Sequence, residues 1–391
     1  MTINDLAESI LPKMIEHRRY LHMHPEVSFH EEETYKYILK YLQQYDNLKI
    51  RENVGGKGLL ATFGEGHPHI AIRADFDALP IHDDKDVPYK STVEGVMHAC
   101  GHDGHTSTLF ALVDILNEQQ ESGKLNGSVS FIFQFAEEIQ PGGAVSMVED
   151  NVLDGVDKVY GQHYWSQYPT HTIKVKPGPI ISSPDYFVIT IHGKGGHAAH
   201  PHDAVDPVLI AAEVITNLQS VVSRQVSPMD NAVVTFGKVS AGTAFNVIPD
   251  TAEIVGTVRT FKPEIKDKIY EIFQNEVELT AKKRGAEGEL YYNYGYPAVI
   301  NHDDEAEVIE QAAKDLGLPF ETAKPLMIGE DFSYYILEKP GAFFFTGSGN
   351  NDKNSNYVHH HSMFDLDEDA MVSGLSMFMK ILELEQVIKW N

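Results

Sequence analysis

The chain has 391 residues, which is long for one hydrophobic core and favours two domains. Hydrophobic residues make up 42% of it and charged residues 23%, a balance that is typical of globular proteins and excludes a disordered or fibrous chain. The 31 Lys and Arg residues stand against 57 Asp and Glu, so the formal net charge is −26 with His neutral. Because nucleic acid and anionic membranes repel so acidic a chain, neither is expected as a partner.

The opening segment and the single cysteine indicate where the protein works. Asp5, Glu8 and Glu16 interrupt the apolar residues of the opening segment, which predicts an amphipathic helix and not a signal peptide. No apolar run approaches the roughly 18 residues of a membrane span. Cys100 is the only cysteine, so no internal disulfide can form and an oxidising compartment is not indicated. We therefore expect a cytoplasmic protein.

Helices and strands alternate along the N-terminal half. Strands are predicted at 69–74, 128–135 and 156–160, and a helix at 106–116. Ser28 and Glu31 have the spacing of a capping box at the start of a further helix. The last of these strands is closely followed by His163. The alternation predicts a mostly parallel α/β sheet, whose ligands gather at the carboxyl ends of its strands.

A different pattern begins near residue 184. Strands are predicted at 185–191, 232–236, 252–258 and 288–292, and helices at 207–222 and 263–282. This order, βαββαβ, is that of a ferredoxin-like unit. Because helix and strand alternation resumes after Pro297, we expect an α/β domain formed by 1–183 and 296–391, with an inserted domain at 184–295.

The densest cluster of potential metal ligands runs from Met97 to His105. Within it, Cys100 lies two residues before His102, and the neighbouring glycines let the backbone approach a metal closely. Thiolate, imidazole and carboxylate groups together suit a divalent transition-metal ion. The alternative interpretation is a turn rich in polar capping groups.

Three other segments offer metal ligands at predicted strand ends or loops. Glu137 and Glu138 follow an apolar strand, where one could bind a metal while the other contacts a water molecule. Paired Glu residues are also common on solvated loops. His163 stands beside aromatic residues and could instead be a hydrogen-bonded packing residue. The three consecutive His residues at 359–361 cannot all face one ion. Convergence of these segments at one edge of the sheet predicts a two-metal site with ions about 3.5–4 Å apart.

Ordered motifs along nearly the whole chain resemble those of a known family. They are Arg18-Arg19-Tyr20-Leu21-His22 with Pro25-Glu26, Arg73 to Pro80, Met97 to His105, Glu137-Glu138, Gly195 to Ala199, Asn246 to Asp250 and Gly329 to Phe332. With these motifs the sequence resembles the M20 metallopeptidases, in particular the amidohydrolase branch of hippurate, N-acetyl-diaminopimelate and indole-acetyl-amino-acid hydrolases. The resemblance implies a catalytic α/β domain with an inserted lid or dimerisation domain.

The resemblance also implies roles for residues of the α/β domain. The implied metal ligands are Cys100, His102, Glu138, His163 and one C-terminal His. The C-terminal motif places that last ligand on His360, with His359 and His361 as the alternatives. Glu137 matches the general base, and Asp77 matches the carboxylate that orients or tunes the site. Asp75 occupies a position where other branches carry a metal-binding His.

Three residues of the inserted domain are implied to act on the substrate. His197 is expected to stabilise negative charge in the tetrahedral intermediate and, in a dimer, to reach the partner subunit's active site. Asn246 and Arg259 are candidates for holding a substrate carboxylate, a task to which Arg is geometrically suited. For Arg259, a surface charge at a strand end is an equal alternative.

These observations predict metal-dependent hydrolysis of the amide bond of a small N-acyl-amino acid. We expect a homodimer that pairs through the inserted domain and holds two divalent ions per subunit, Zn²⁺ or Mn²⁺, with Ni²⁺ as a further candidate. A dipeptidase or carboxypeptidase on the same fold is one alternative. A non-catalytic protein that binds amino-acid conjugates is the other.

Overall fold

The chain divides into two compact units. A computed structural model describes residues 2–390. The first unit contains the described residues up to Ile180, with Ile300–Lys324 and the residues from Asp331 onward, and the second contains Ile181–Val299 with Pro325–Glu330. The domain boundaries expected after residues 183 and 295 stay a prediction.

Helices and strands are distributed over both units. The helices are α1 (Ile3–Met23), α2 (Glu32–Leu42), α3 (His102–Glu121), α4 (Gly143–Glu149), α5 (Pro207–Leu218), α6 (Pro263–Lys283), α7 (Asp303–Asp315), α8 (Ser333–Glu338) and α9 (Ala370–Leu384). The strands are β1 (Lys49–Val54), β2 (Gly58–Gly64), β3 (His69–Asp75), β4 (Ser128–Gln134), β5 (Lys158–Pro169), β6 (Ile173–Val175), β7 (Gly178–Ile181), β8 (Ser183–His192), β9 (Gly196–His197), β10 (Ala232–Ala241), β11 (Val247–Ile248), β12 (Thr251–Thr260), β13 (Glu287–Asn293), β14 (Val299–Asn301), β15 (Phe320–Thr322) and β16 (Gly341–Gly349). Among the described helices, none combines the length and the apolar character that crossing a membrane requires.

The first unit is built around an eight-stranded sheet in the order β1-β2-β4-β3-β5-β16-β6-β15. At its centre β3 runs parallel to both β4 and β5, and β16 runs parallel to β5. Every residue of β4 is buried, as expected for an inner strand of a sheet that is covered on both faces. The predicted mostly parallel α/β fold is therefore confirmed.

The second unit contains a four-stranded antiparallel sheet in the order β10-β12-β8-β13. The chain order β8-α5-β10-β12-α6-β13 is the predicted βαββαβ pattern. Burial alternates along β8, so that Phe187, Ile189 and Ile191 pack in the core together with Phe273 and Val277 of α6. The ferredoxin-like part of the fold prediction is confirmed.

The predicted capping box at Ser28 and Glu31 is wrong. Helix α2 begins at Glu32, and the side chain of Glu31, which precedes it, makes no capping hydrogen bond, whereas Glu26 Oε2 accepts the Thr34 N–H at 2.8 Å. Ser28 Oγ instead donates a hydrogen bond to Asp77 Oδ2 at 2.7 Å, and Glu31 Oε1 accepts one from the Ala136 N–H at 2.9 Å. Both side chains therefore support the segments that follow β3 and β4, where the candidate site lies.

Candidate metal centre

The central strands of the first unit deliver polar side chains to one edge of the sheet. Asp75 ends β3, and Glu137 and Glu138 follow β4. His163 lies inside β5, which is longer than predicted because β16 pairs with it through Phe345 opposite His163. The pairing of β3 with β5 ends at Gly161, so His163 extends past the end of β3. Parallel strands thus bring these groups to the edge where α/β sheets bind ligands.

The first turn of α3 brings two further donors to this edge. The helix begins at His102 directly after Gly101, which adopts a φ of 105°. A left-handed conformation of this kind is readily available to glycine and strained for other residues. The turn at Gly101 places Cys100 before the helix, with its Sγ 3.3 Å from His163 Nε2. The dense cluster in the sequence is thus folded against β5.

Six of the predicted site residues come together here. In each of three overlapping groups, the potential ligand atoms lie within 4.8 Å of one another. The groups are Cys100 with His102 and His163, Cys100 with Glu138 and His360, and His102 with Glu137 and Glu138. This is a set of thiol, imidazole and carboxylate donors of the kind that binds divalent transition metals.

The two buried imidazoles present their Nε2 atoms to this set. His102 Nδ1 lies 2.9 Å from the Asp77 carbonyl oxygen, and His163 Nδ1 lies 2.7 Å from the Tyr164 carbonyl oxygen. A carbonyl accepts only from an N–H, so each Nδ1 carries a hydrogen, and in the neutral ring each Nε2 keeps its lone pair. Hydrogen bonds of this kind orient His ligands in metal sites.

His102 shows that the residues fit a metal ion. Its buried Nε2 makes no hydrogen bond within residues 2–390, although Asp75 Oδ2 lies 3.5 Å away and Glu138 Oε1 3.8 Å away. A buried polar atom without a partner is costly, and coordination of a cation satisfies it. A divalent ion beside His102 would also offset the neighbouring carboxylates.

The pKa values in the cluster reflect its excess of negative charge. Burial lowers the pKa of His102, but the carboxylates of Asp75 and Asp77 outweigh it and raise that pKa to about 10. Burial, reinforced by the Glu138 and Glu137 carboxylates, raises the pKa of the Cys100 thiol well above its usual range. A bound cation opposes both effects, because it favours neutral imidazole and thiolate as ligands.

Asp77 connects three parts of the centre. It is buried, and its carboxylate accepts hydrogen bonds from Ser28 Oγ and from the backbone N–H of Glu138 at 3.0 Å. Its Oδ1 also lies 3.2 Å from His102 Nδ1. Asp77 is therefore placed to orient both a histidine and a glutamate of the cluster.

The three consecutive C-terminal histidines occupy different surroundings. His360 adopts a φ of 64°, donates its backbone N–H to the Ala99 carbonyl, and places Nε2 3.2 Å from Glu138 Oε1. The ring of His359 stacks on Trp165 with centroids 4.1 Å apart. The ring of His361 stacks on Tyr357. This geometry favours His360 as the donor from this segment.

Sequence reasoning missed part of the support beneath the cluster. His105, on the same face of α3 as His102, lies with Nδ1 2.6 Å from Asp75 Oδ1 and accepts the Tyr164 N–H on Nε2 at 3.0 Å. Arg73 contacts Asp75 at 2.7 Å. The helical spacing of His102 and His105 is a signal that could have identified His105.

The remaining predicted site residues belong to the second unit. His197 and Asn246 are both exposed and lie on adjoining segments, since β9 pairs with β11 and the Ala198 N–H donates to the Asn246 carbonyl at 3.1 Å. Arg259 lies partly buried on β12, where its Nη1 donates to Thr257 Oγ1. Burial lowers the pKa of Arg259.

Comparison with known proteins identifies the family. Residues 71–384 match the model of peptidase family M20/M25/M40, and the chain belongs to this family. It is 43% identical to YhaA of Bacillus subtilis, named as an amidohydrolase, over 95% of this chain and 94% of that protein. It is 41% identical to the N-acetylcysteine deacetylase of the same organism, over 94% of this chain and 96% of that one.

A solved structure is similar over nearly the whole chain. The YXEP protein of Bacillus subtilis, described as a dinuclear metal-binding peptidase of the M20 family, superimposes with a TM-score of 0.84 at 36% identity. The match covers 97% of this chain and all of that one.

Proposed function

We propose that this protein is a metal-dependent amidohydrolase that cleaves the amide bond of small N-acyl-amino acids, as a deacylase or deacetylase. The observation that carries the proposal is the convergence of Cys100, His102, Glu138, His163 and His360, with Glu137 beside them. Similarity to an N-acetylcysteine deacetylase over most of both chains supports N-acyl-amino acids as substrates.

Five residues are proposed to hold two divalent ions. They are Cys100, His102, Glu138, His163 and His360. Once bound, the ions polarise the scissile carbonyl and lower the pKa of water at the site toward about 7. Imidazole and thiolate donors suit Zn²⁺, and Mn²⁺ and Ni²⁺ are the further candidates.

Glu137 is proposed as the general base. It is buried, and its carboxylate belongs to the group that contains His102 and Glu138. As the water oxygen attacks the carbonyl carbon, Glu137 accepts the proton that the water loses. It then donates this proton to the amide nitrogen as the C–N bond breaks, which releases a carboxylic acid and the free amino acid.

The second unit is proposed to complete the site as a lid and dimerisation domain. His197 would donate to the developing oxyanion in the partner subunit of a homodimer, and its exposure is compatible with that role. Asn246 and Arg259 would hold the substrate carboxylate, for which the fork of the guanidinium is well shaped. A free thiol as a metal ligand is compatible with the cytoplasm, where we propose that the enzyme acts.

A substrate screen tests this proposal. The protein is freed of metal, reconstituted separately with Zn²⁺, Mn²⁺ or Ni²⁺, and assayed on acetyl-, benzoyl- and aminoacyl-amino acids side by side, with Glu137→Gln as the matched control. We expect the highest kcat/KM on an N-acyl-amino acid. Exclusive turnover of aminoacyl substrates would identify a dipeptidase instead, and retained metal with no turnover at all would identify a binding protein.

A further inference from the structure

A fully buried arginine joins two segments that carry candidate metal ligands. The side chain of Arg18, in α1, is 0% exposed. Its Nε donates to Asp103 Oδ2 at 2.9 Å, its Nη2 to Asp365 Oδ1 at 2.5 Å and its Nη1 to Glu368 Oε1 at 3.2 Å. One guanidinium thus uses each of its three nitrogens on a different carboxylate, a rigid planar geometry that the single nitrogen of a lysine does not provide.

These carboxylates stand close in sequence to two of the candidate ligands. Asp103 directly follows His102 in the first turn of α3. Asp365 and Glu368 follow His360 in the irregular stretch that precedes α9. Arg18 therefore connects the start of the helix that carries His102 with the stretch that carries His360.

A second set of contacts reinforces the same connection. Buried Lys85 donates to the Phe364 carbonyl at 2.7 Å and lies 2.9 Å from His22 Nε2. His22 Nδ1 in turn lies 2.8 Å from Asp103 Oδ2. Tyr89 donates its hydroxyl to Asp365 Oδ2 at 2.8 Å. Arg18 is the group in this cluster that contacts carboxylates of both segments directly.

The stretch around His360 needs such an anchor. His360 is in no helix or strand, its side chain is 50% exposed, and its φ of 64° is unusual for a residue other than glycine. Without the guanidinium, Asp103, Asp365 and Glu368 would keep like charges close together in a poorly solvated space. Repulsion between them would push the two segments apart.

We infer that Arg18 is a positioning residue that sets the spacing between His102 and His360, and so the metal affinity of the site. The inference rests on the proposed function, because it takes both histidines as ligands. The three carboxylates that Arg18 contacts are not themselves proposed metal ligands. Its effect acts through Asp103 and Asp365.

The test measures the Zn²⁺ affinity of metal-free protein by competition with a chromophoric chelator, in the absence of substrate. Arg18→Met is expected to weaken Zn²⁺ binding by about 10–100-fold, as is typical for loss of a group that supports metal ligands. Arg18→Lys keeps the positive charge but not the contact geometry with three carboxylates, so it should retain Zn²⁺ affinity only in part. Arg19→Met is the matched control, because Arg19 also contacts Glu368 but its side chain is 42% exposed. The Zn²⁺ affinity of this variant should stay within about two-fold of that of the unmodified protein.

A further variant separates a general loss of stability from a specific loss of ligand positioning. Leu116→Ala removes a buried side chain from the C-terminal half of α3 and should lower the melting temperature while leaving Zn²⁺ affinity unchanged.

If Arg18→Met does not fold, Asp365→Asn replaces it, and we expect Zn²⁺ binding to weaken several-fold from the loss of one charged hydrogen bond. Unchanged Zn²⁺ affinity in the folded variant, or a loss no greater than that of Leu116→Ala, would overturn the inference. Failure of the proposed function would instead appear as absent turnover by the unmodified, metal-loaded enzyme.

Discussion

The two units place their predicted functional residues in contrasting surroundings. In the first unit, Cys100, His102 and His163 are buried, and a backbone carbonyl fixes the orientation of each imidazole. In the second unit, His197 and Asn246 are exposed on short segments that pair through backbone hydrogen bonds. Burial and hydrogen bonds orient the imidazoles of the first set, whereas His197 accepts one hydrogen bond, from the Ala199 N–H to its Nδ1 at 3.0 Å, and its side chain stays exposed.

This contrast suggests that the two units have different roles in the proposed enzyme. Burial and oriented lone pairs suit the first unit for metal binding and proton transfer, because both require fixed geometry. An exposed imidazole, by contrast, is free to contact a substrate or another subunit, and that contact determines its chemical role. Variants in the first unit should therefore change metal binding or chemistry, and variants in the second should leave metal binding intact.

The largest effect on turnover is expected from Glu137→Gln. This change keeps the size and most hydrogen bonding of the side chain but removes the base, so kcat should fall by about 10²–10⁴-fold. Metal content, measured by elemental analysis, should stay normal. Glu138→Gln is the matched control next to it and should lose metal, so the reverse result would mean that the two roles are exchanged.

A smaller loss is expected from His197→Ala in the second unit. Removal of one donor to the oxyanion should lower kcat by about 10²–10³-fold with normal metal content. Mixing His197→Ala subunits with Glu137→Gln subunits tests whether the site is shared. If it is, a verified heterodimer regains one good active site, whereas no recovery would rule out the role across subunits.

Arg259→Met should act mainly on substrate binding. Loss of a charge-assisted, bidentate hydrogen bond to a carboxylate costs about 1.5–3 kcal/mol, which corresponds to about 10–150-fold in KM. The effect should vanish for a substrate whose carboxylate is replaced by an amide. An equal loss on both substrates would assign Arg259 to the structure of β12, where it already contacts Thr257.

The smallest effect is expected from His359→Phe. The aromatic replacement keeps the stacking on Trp165 and loses a hydrogen bond to the Tyr164 carbonyl, which lies 3.0 Å from His359 Nε2. Metal affinity should change by less than about ten-fold, the equivalent of one ordinary hydrogen bond. Loss of metal from His359→Phe but not from His360→Ala would reverse the choice between these neighbours.

The sequence predicted most of what depends on local pattern. Strand β4 and the βαββαβ order of the second unit follow from apolar runs and their spacing. The local spacing of Ser28 and Glu31 matches a capping box, but partners distant in sequence, Asp77 and the Ala136 N–H, bind these side chains instead. Tertiary contacts of this kind leave no local signal.

The candidate site shows the same limit. Its chemical composition could be predicted, because Cys, Glu and His cluster at strand ends and match a family motif. The contacts that support its side chains could not be predicted, because their partners lie far apart in sequence. Arg18 contacts Asp365 across almost the whole chain, and Arg73 contacts the distant Asp331 at 2.8 Å. Such partners become visible only once the chain has folded.

The most direct test of the central claim follows deacylation while metal is returned to metal-free protein. Hydrolysis of an N-acetyl-amino acid is measured against added equivalents of Zn²⁺ or Mn²⁺, with bound metal counted in parallel. We expect no turnover without metal and a rise that levels off at two ions per subunit. Full turnover by protein shown to be metal-free would contradict it.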